Sequence, residues 1–195
     1  VIPHGVPDPG PPRALPPRDR LRLAVLATLE PRKRIDVLLR ALARADGVPA
    51  ELEVGGTGPE EARLRELARE LGVADRVRFH GRITDASAFL AAAHCVVLAS
   101  RLEGMPLVLL DAMAAGRGTL TTALPGLETV SGGDVGLHVG ETPESWADAL
   151  GFVWSHPEQV AAWGRAARER FERSHTLERS RERVGAFWNQ IQGAA

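Results

Sequence analysis

The sequence predicts an α/β fold: a doubly wound, Rossmann-like parallel sheet of about six strands, closed by C-terminal helices. Three observations carry that expectation. Short apolar runs that read as buried strands alternate with stretches whose apolar residues recur at helical spacing. Such alternation requires right-handed crossovers between parallel strands. The polar and glycine-bearing motifs all sit just after a strand, at the carboxyl edge where open α/β sheets bind their ligands.

Val1–Val6 is a short extended start, and Pro7–Pro17 is a proline-rich connector unable to form helix or sheet interior. Leu21–Ala27 reads as a buried strand, followed by Ile35, Leu38, Leu39 and Leu42 on one helical face. Glu51–Gly55 is a strand. Thr57-Gly58-Pro59-Glu60 then has the pattern of a capping box with proline early in a helix. Leu64, Leu67, Ala68 and Leu71 line that helix until Gly72 stops it. Val77–His80 is a strand, Asp85–Ala93 a short helix, Cys95–Ala99 a strand and Pro106–Ala115 a helix. Thr119–Ala123 and Gly136–Val139 are the last strands. Helices are expected over Pro143–Ser155, Pro157–Arg173 and Leu177–Gln190, the last two with Phe171, Leu177, Val184 and Trp188 turned inward. The expected organisation is a start segment and connector over 1–20, a ligand-binding Rossmann-like domain over 21–155, and a helical tail over 156–195.

The 195 residues, 44% of them hydrophobic, suffice for one independent core. A formal net charge of −1 gives no bulk attraction to nucleic acid or to an anionic membrane. The single cysteine, Cys95, excludes an internal disulfide and suits a reducing, cytoplasmic compartment. No histidine or cysteine cluster has ligand spacing, so neither a metal nor a cofactor is expected. Lys33 is the only lysine; every other basic residue in that count is arginine.

The most informative run is Ser100–Gly116. Glu103 sits on a glycine turn directly after a strand, and Asp111 lies eight residues on, inside an otherwise apolar helix start. Eight residues is close to two helical turns, so both acids can face one end of the sheet. An acid among leucines needs a partner, because burying an unpaired charge is costly. Strand, glycine turn and helix N-terminus form an anion site of backbone N–H groups. Two carboxylates beside it could hold sugar or ribose hydroxyls next to a phosphate.

This run resembles the Glu-x7-Glu signature of retaining glycosyltransferases of the large GT4 family (group 1, GT-B fold), with Asp111 at the second glutamate. The resemblance covers essentially the whole chain, but only half of such an enzyme. It implies that Glu103 lies against the donor sugar's hydroxyls and that Asp111 holds the ribose. Gly104, Met105, Pro106 and Leu107 would take the diphosphate through backbone N–H groups. Lys33 falls on the lysine that neutralises the diphosphate. The companion arginine position holds Thr28, a departure, and Arg32 or Arg34 is left to substitute. Gly56 and Gly58 match the Gly-x-Gly loop bordering the donor pocket, and Ile83 the position against the base. Pro125–Val130 matches the turn and short helix beyond the next strand, with Pro125 replacing a glycine. In two-domain enzymes of this fold the final helix crosses to the N-terminal domain, which would leave Phe187 and Trp188 partly exposed here.

Each residue also has a plainer reading. Lys33 could be a solvated charge at a helix start, and Glu103 an ordinary loop carboxylate. Gly56 and Gly58 could serve only a tight turn. The Gly55–Gly58 run is no dinucleotide fingerprint, since Glu61 occupies the third glycine's place. His80 and His4 read as packing or solvent-facing residues.

The functional expectation is the C-terminal, donor-binding half of a hexosyltransferase taking a UDP- or GDP-linked sugar as substrate. Its acceptor-binding N-terminal domain would be absent from this chain, as in an excised domain or a gene fragment, leaving the chain alone inactive. Membrane contact, peripheral at the inner membrane, would come only through that missing half. A non-catalytic nucleotide-binding or interaction module is the alternative, to which Thr28, Asp111 and Pro125 point. An epimerase of the same fold would need further acids and histidines at the cleft.

Overall fold

The computed structural model describes residues 4–125, 127 and 130–192. Its six strands are β1 (Leu21–Leu26), β2 (Ala50–Gly55), β3 (Val77–Gly81), β4 (Cys95–Leu98), β5 (Gly118–Thr122) and β6 (Gly136–Val139). All pair in parallel, in the spatial order β3-β2-β1-β4-β5-β6. The helices are α1 (Ile35–Arg44), α2 (Glu61–Glu70), α3 (Ala86–Ala91), α4 (Leu107–Ala114), α5 (Pro143–Ser155), α6 (Pro157–Ser174) and α7 (Leu177–Gln192). This is the doubly wound parallel sheet with closing helices that the alternation predicts. The winding reverses between β1 and β4, so the loops leaving these two neighbours diverge and open a crevice at the carboxyl edge.

Side-chain alternation along the strands divides the core between two faces. Leu23, Val25, Leu52, Val54, Cys95 and Val97 join α1, α2 and α5 in one cluster, with Trp146 fully buried. Ala24 and Val96 meet Leu90 and Ala112 on the other face. Leu98 joins Leu109, Leu110 and Met113 of α4 with Ala167 and Phe171 of α6. Each large aliphatic side chain so buried contributes roughly 1.5–3 kcal/mol. Burial also pushes the Cys95 thiol up to about 12, which removes it as a nucleophile.

The connector has no regular structure and runs under the amino edge of the sheet. Buried Arg117 anchors it there, its Nη2 donating to the carbonyls of Arg13 and Ala14 (3.0 Å each) and of Ala91 (2.7 Å). Asp8 accepts a two-pronged pair from Arg168 of α6, at 2.9 and 2.8 Å. Among the described residues no helix is long and apolar enough to cross a membrane.

Three expectations need correction. Thr57 caps no helix: α2 begins at Glu61 behind Glu60, which makes no side-chain capping bond. Thr57 and Glu60 instead serve the adjacent loop, where Leu29 N–H donates to Thr57 O and Glu60 N–H to Leu29 O, both at 3.0 Å. α4 begins at Leu107, with Pro106 as its extended N-cap. In α7 no residue is buried, and Val184 and Trp188 are exposed together with Phe187 and Ile191. The amphipathic pattern marks an apolar face correctly; nothing in the described residues packs against it. The short helix expected within 125–130 falls at 126, 128 and 129, outside the described residues, as do residues 1–3 of the start segment.

Candidate active site at the carboxyl edge of the sheet

Two loops meet where the winding reverses. The first leaves β1, passes through a 3-10 turn at Pro31–Lys33, and enters α1 at Arg34, which is held in the left-handed region (φ 51°). The second leaves β4 and enters α4 at Pro106. They are joined by a backbone bond, Arg101 N–H to Arg32 O at 3.0 Å. Across this junction Lys33 Nζ donates to Glu103 Oε1 at 2.5 Å. The side chains are 11% and 7% exposed, so the pair is largely out of water, where an ion pair is strong and the loss of one partner costly. Arg32 approaches from the same side, its Nη1 3.8 Å from Glu103 Oε2 and its Nε 2.8 Å from Glu30. Arg34 turns away, donating to the Glu141 carboxylate and carbonyl, both at 3.0 Å.

The helix ends add to this positive potential. α1 and α4 both start at the site with no side-chain cap, so their first N–H groups stay available to an anion. Gly104 is exposed, and a Cβ built there would meet nothing within 4 Å. Its φ lies outside the left-handed region, so neither strain nor crowding within the chain requires a glycine. Pro106 is buried, Met105 half-buried and Leu107 exposed.

Asp111 lies one turn into α4, on the side shared by Leu107 and Val108 and away from buried Leu109, Leu110 and Ala112. It is half-buried, and among the described residues its carboxylate has no ion pair or hydrogen bond. Desolvation pushes its pKa up, with no cation to bring it back.

The remaining expected residues follow the carboxyl ends of β1, β2 and β3. Thr28 is exposed, its carbonyl accepting from Glu30 N–H at 2.9 Å. Gly56 adopts φ +117°, and a Cβ there would stand 1.9 Å from Ala27 O; at Gly58 it would stand 2.5 Å from Leu29 O. The close approach of the 27–29 segment therefore accounts for both glycines without a ligand. Ile83 is half-buried in an apolar corner: its Cγ1, Leu26 Cδ1 and Phe89 Cε1 all crowd the face of Gly55. His80 pairs with Glu53 at 2.5 Å and sets its ring edge-on to Phe89.

Thus Lys33 and Glu103, 70 positions apart, are brought into contact, and Arg32 joins them. Sequence reasoning missed the direct pairing and the Arg101–Arg32 bond. Strand alternation points to a common edge for the two loops, but only the adjacency of β1 and β4 makes them neighbours.

Residues 12–170 match the family described as Glycosyl transferases group 1. The chain is 37% identical over 177 residues to a D-inositol 3-phosphate glycosyltransferase of Saccharomonospora viridis, covering 80% of this chain and 40% of that protein. It is 35% identical over 166 residues to a GDP-mannose-dependent α-(1-6)-phosphatidylinositol monomannoside mannosyltransferase of Mycobacterium tuberculosis, covering 77% and 43%. Among solved structures, the Anabaena protein HepE in complex with UDP superposes with a TM-score of 0.82 at 19% identity, covering 88% of this chain and 49% of that one. The chain thus spans less than half the length of these proteins, and the fold it shares with HepE is one half of a GT-B architecture. On the extent of the matched segment and the identity to its relatives, this chain belongs to the group 1 glycosyltransferase family, GT4.

Proposed function

We propose that this chain is the nucleotide-sugar-binding half of a retaining hexosyltransferase, with a UDP- or GDP-linked sugar lying across the crevice between β1 and β4. The observation that carries the reading is the Lys33–Glu103 pair, closed across the winding reversal and flanked by two uncapped helix N-termini. A diphosphate carries more negative charge than one carboxylate, so it competes for Lys33 and for the open N–H groups of the first turn of α4. Glu103 is then released to accept hydrogen bonds from the sugar and fix the anomeric carbon toward the acceptor. Charge developing on the departing diphosphate is met by Lys33 and the helix terminus, both in place beforehand. Asp111, half-buried and unpartnered, suits a ribose hydroxyl donor. Gly104 leaves open the space the phosphates need, and Ile83 with Leu26 and Phe89 offers an apolar wall to the base.

In this reading the acceptor site and turnover belong to an N-terminal domain outside this chain, and the protein is cytoplasmic. Residues 21–155 form the binding domain. The tail from 156 supports it, as Val160, Trp163, Ala167 and Phe171 are buried.

Titration calorimetry with UDP, GDP and their sugars tests the proposal. One of the nucleotides should bind, and Lys33→Ala should weaken it at least tenfold, the size expected for a lost charge-assisted contact. Glu103→Ala should abolish the advantage of the nucleotide sugar over the bare nucleotide. Unchanged affinities in both variants would favour the alternative that Thr28, Asp111 and Pro125 suggest, a non-catalytic nucleotide-binding module.

A further inference from the structure

We infer that Arg32 supplies the second cation to the diphosphate and so makes good the threonine at position 28; this rests on the donor-site reading above. The need is electrostatic. Lys33 is the only cation whose ammonium touches Glu103, and one ammonium leaves a nucleoside diphosphate largely unneutralised. Thr28 is exposed and offers a single hydroxyl. Three arginines lie on the adjoining loops, and their surroundings separate them.

Arg34 is committed. Both its Nη groups are bonded to Glu141. Arg101 contributes its backbone N–H, which holds the carbonyl of Arg32 at 3.0 Å and so fixes the residue before Lys33 against the β4 loop. Arg32 is the guanidinium turned toward the pair. Its Nε is engaged by Glu30 at 2.8 Å, which sets the plane of the fork, while Nη1 stands 3.8 Å from Glu103 Oε2. That distance is an ion-pair approach without a tight hydrogen bond, so the Nη donors can turn to a phosphate at little cost. The side chain is 47% exposed and can reach an arriving ligand. Planar, two-pronged donation to phosphate oxygens is what an arginine provides and a lysine does not. The neutralising charge has in effect moved from the end of β1 to the 3-10 turn four residues later.

Calorimetry on the full chain decides the matter. Arg32→Ala should weaken UDP or GDP by about ten- to hundredfold. It should leave the corresponding nucleoside within about twofold and the thermal melt unchanged. Arg32→Lys should fall between, since charge is kept and the fork lost. Arg34→Asn, a residue that tolerates the left-handed backbone, should bind like the parent. Adding Thr28→Arg to Arg32→Ala should restore most of the lost affinity. If Arg32→Ala binds the diphosphate as the parent does, or if Arg34→Asn carries the loss instead, the inference fails while the donor-site reading stands. If the parent binds no nucleotide, both fail.

Discussion

Asp111 is an acid held where the chain alone gains nothing from it. Its carboxylate is half-buried on α4, no described residue pairs with it, and desolvation raises its pKa. For an acid, a folded pKa above the unfolded one means that the native form binds more protons, so stability falls as pH rises through that range. Asp111→Asn should therefore raise the melting temperature at neutral pH, and the gain should disappear once the solution is acidic enough to protonate the parent. The same change should weaken nucleotide binding by roughly three- to tenfold, the size of one or two hydrogen bonds. Scanning calorimetry and nucleotide titration on one pair of proteins test both halves. A variant neither more stable nor weaker in binding would make Asp111 an ordinary surface acid. Glu103 is the contrasting case, because its cost of burial is already offset by Lys33 at 2.5 Å. The two acids were legible in sequence as a pair at fixed spacing. Their different situations were not, since the partner of one lies on a loop 70 residues away and the other has none among the described residues.

At the scale of elements, the legible and illegible parts separate by range. Helix α1 follows from local periodicity and the six strands from short apolar runs, and some helix ends are set by local residues: Pro143 at the start of α5, and Asp85 accepting from Ala88 N–H to cap α3. The reading of Thr57 as a cap failed because α2 starts only at Glu61, which leaves the Thr57 hydroxyl short of the cap position, while the backbone of 57–60 is tied to Leu29 instead. Nothing in the order of residues announces that tie. His94 shows the same dependence on distant chain, and carries a pH signature. Its Nδ1 accepts from Arg22 N–H at 2.9 Å and its Nε2 donates to Pro16 O at 3.1 Å, which ties β1, β4 and the connector together. Burial, with Arg18, Arg22 and Arg117 nearby, pushes its pKa down to about 4. A histidine depressed in the folded state binds fewer protons than the unfolded chain, so its full contribution is present above about pH 6.5 and is lost as pH falls toward 4. Over that window the loss is about 3 kcal/mol, at 1.36 kcal/mol per pH unit. Chemical denaturation at several pH values should show the decline, and His94→Gln, which keeps one acceptor and one donor, should flatten it. An equally steep decline in that variant would assign the effect to other groups.

For the whole molecule, the question is what α7 is for. Val184, Phe187, Trp188 and Ile191 recur at the spacing of one helical face, and all four are half exposed or more, with Trp188 at 59%. A solvated helix gains little from such a stripe, and α7 buries none of its own residues. Among the described residues its first half carries attachments, where Thr176 bridges Val6, Leu177 N–H donates to Val6 O at 3.2 Å, and Arg183 donates to Ser174 O at 2.9 Å. The donor-site reading gives the stripe a purpose, since it would be covered by the acceptor domain of a complete enzyme. The stability of the binding domain should then be nearly independent of it. Deleting residues 184–192 should shift the melting temperature by no more than about 2 °C, because a change of well under 1 kcal/mol moves a domain of this size by that little. Trp188 should also be the most solvent-exposed of the four tryptophans, so Trp188→Phe should blue-shift the emission maximum by removing the reddest component. A loss of many degrees on deletion, or emission unchanged in the Trp188 variant, would mean that α7 folds back on the domain and that its apolar face is satisfied within this chain.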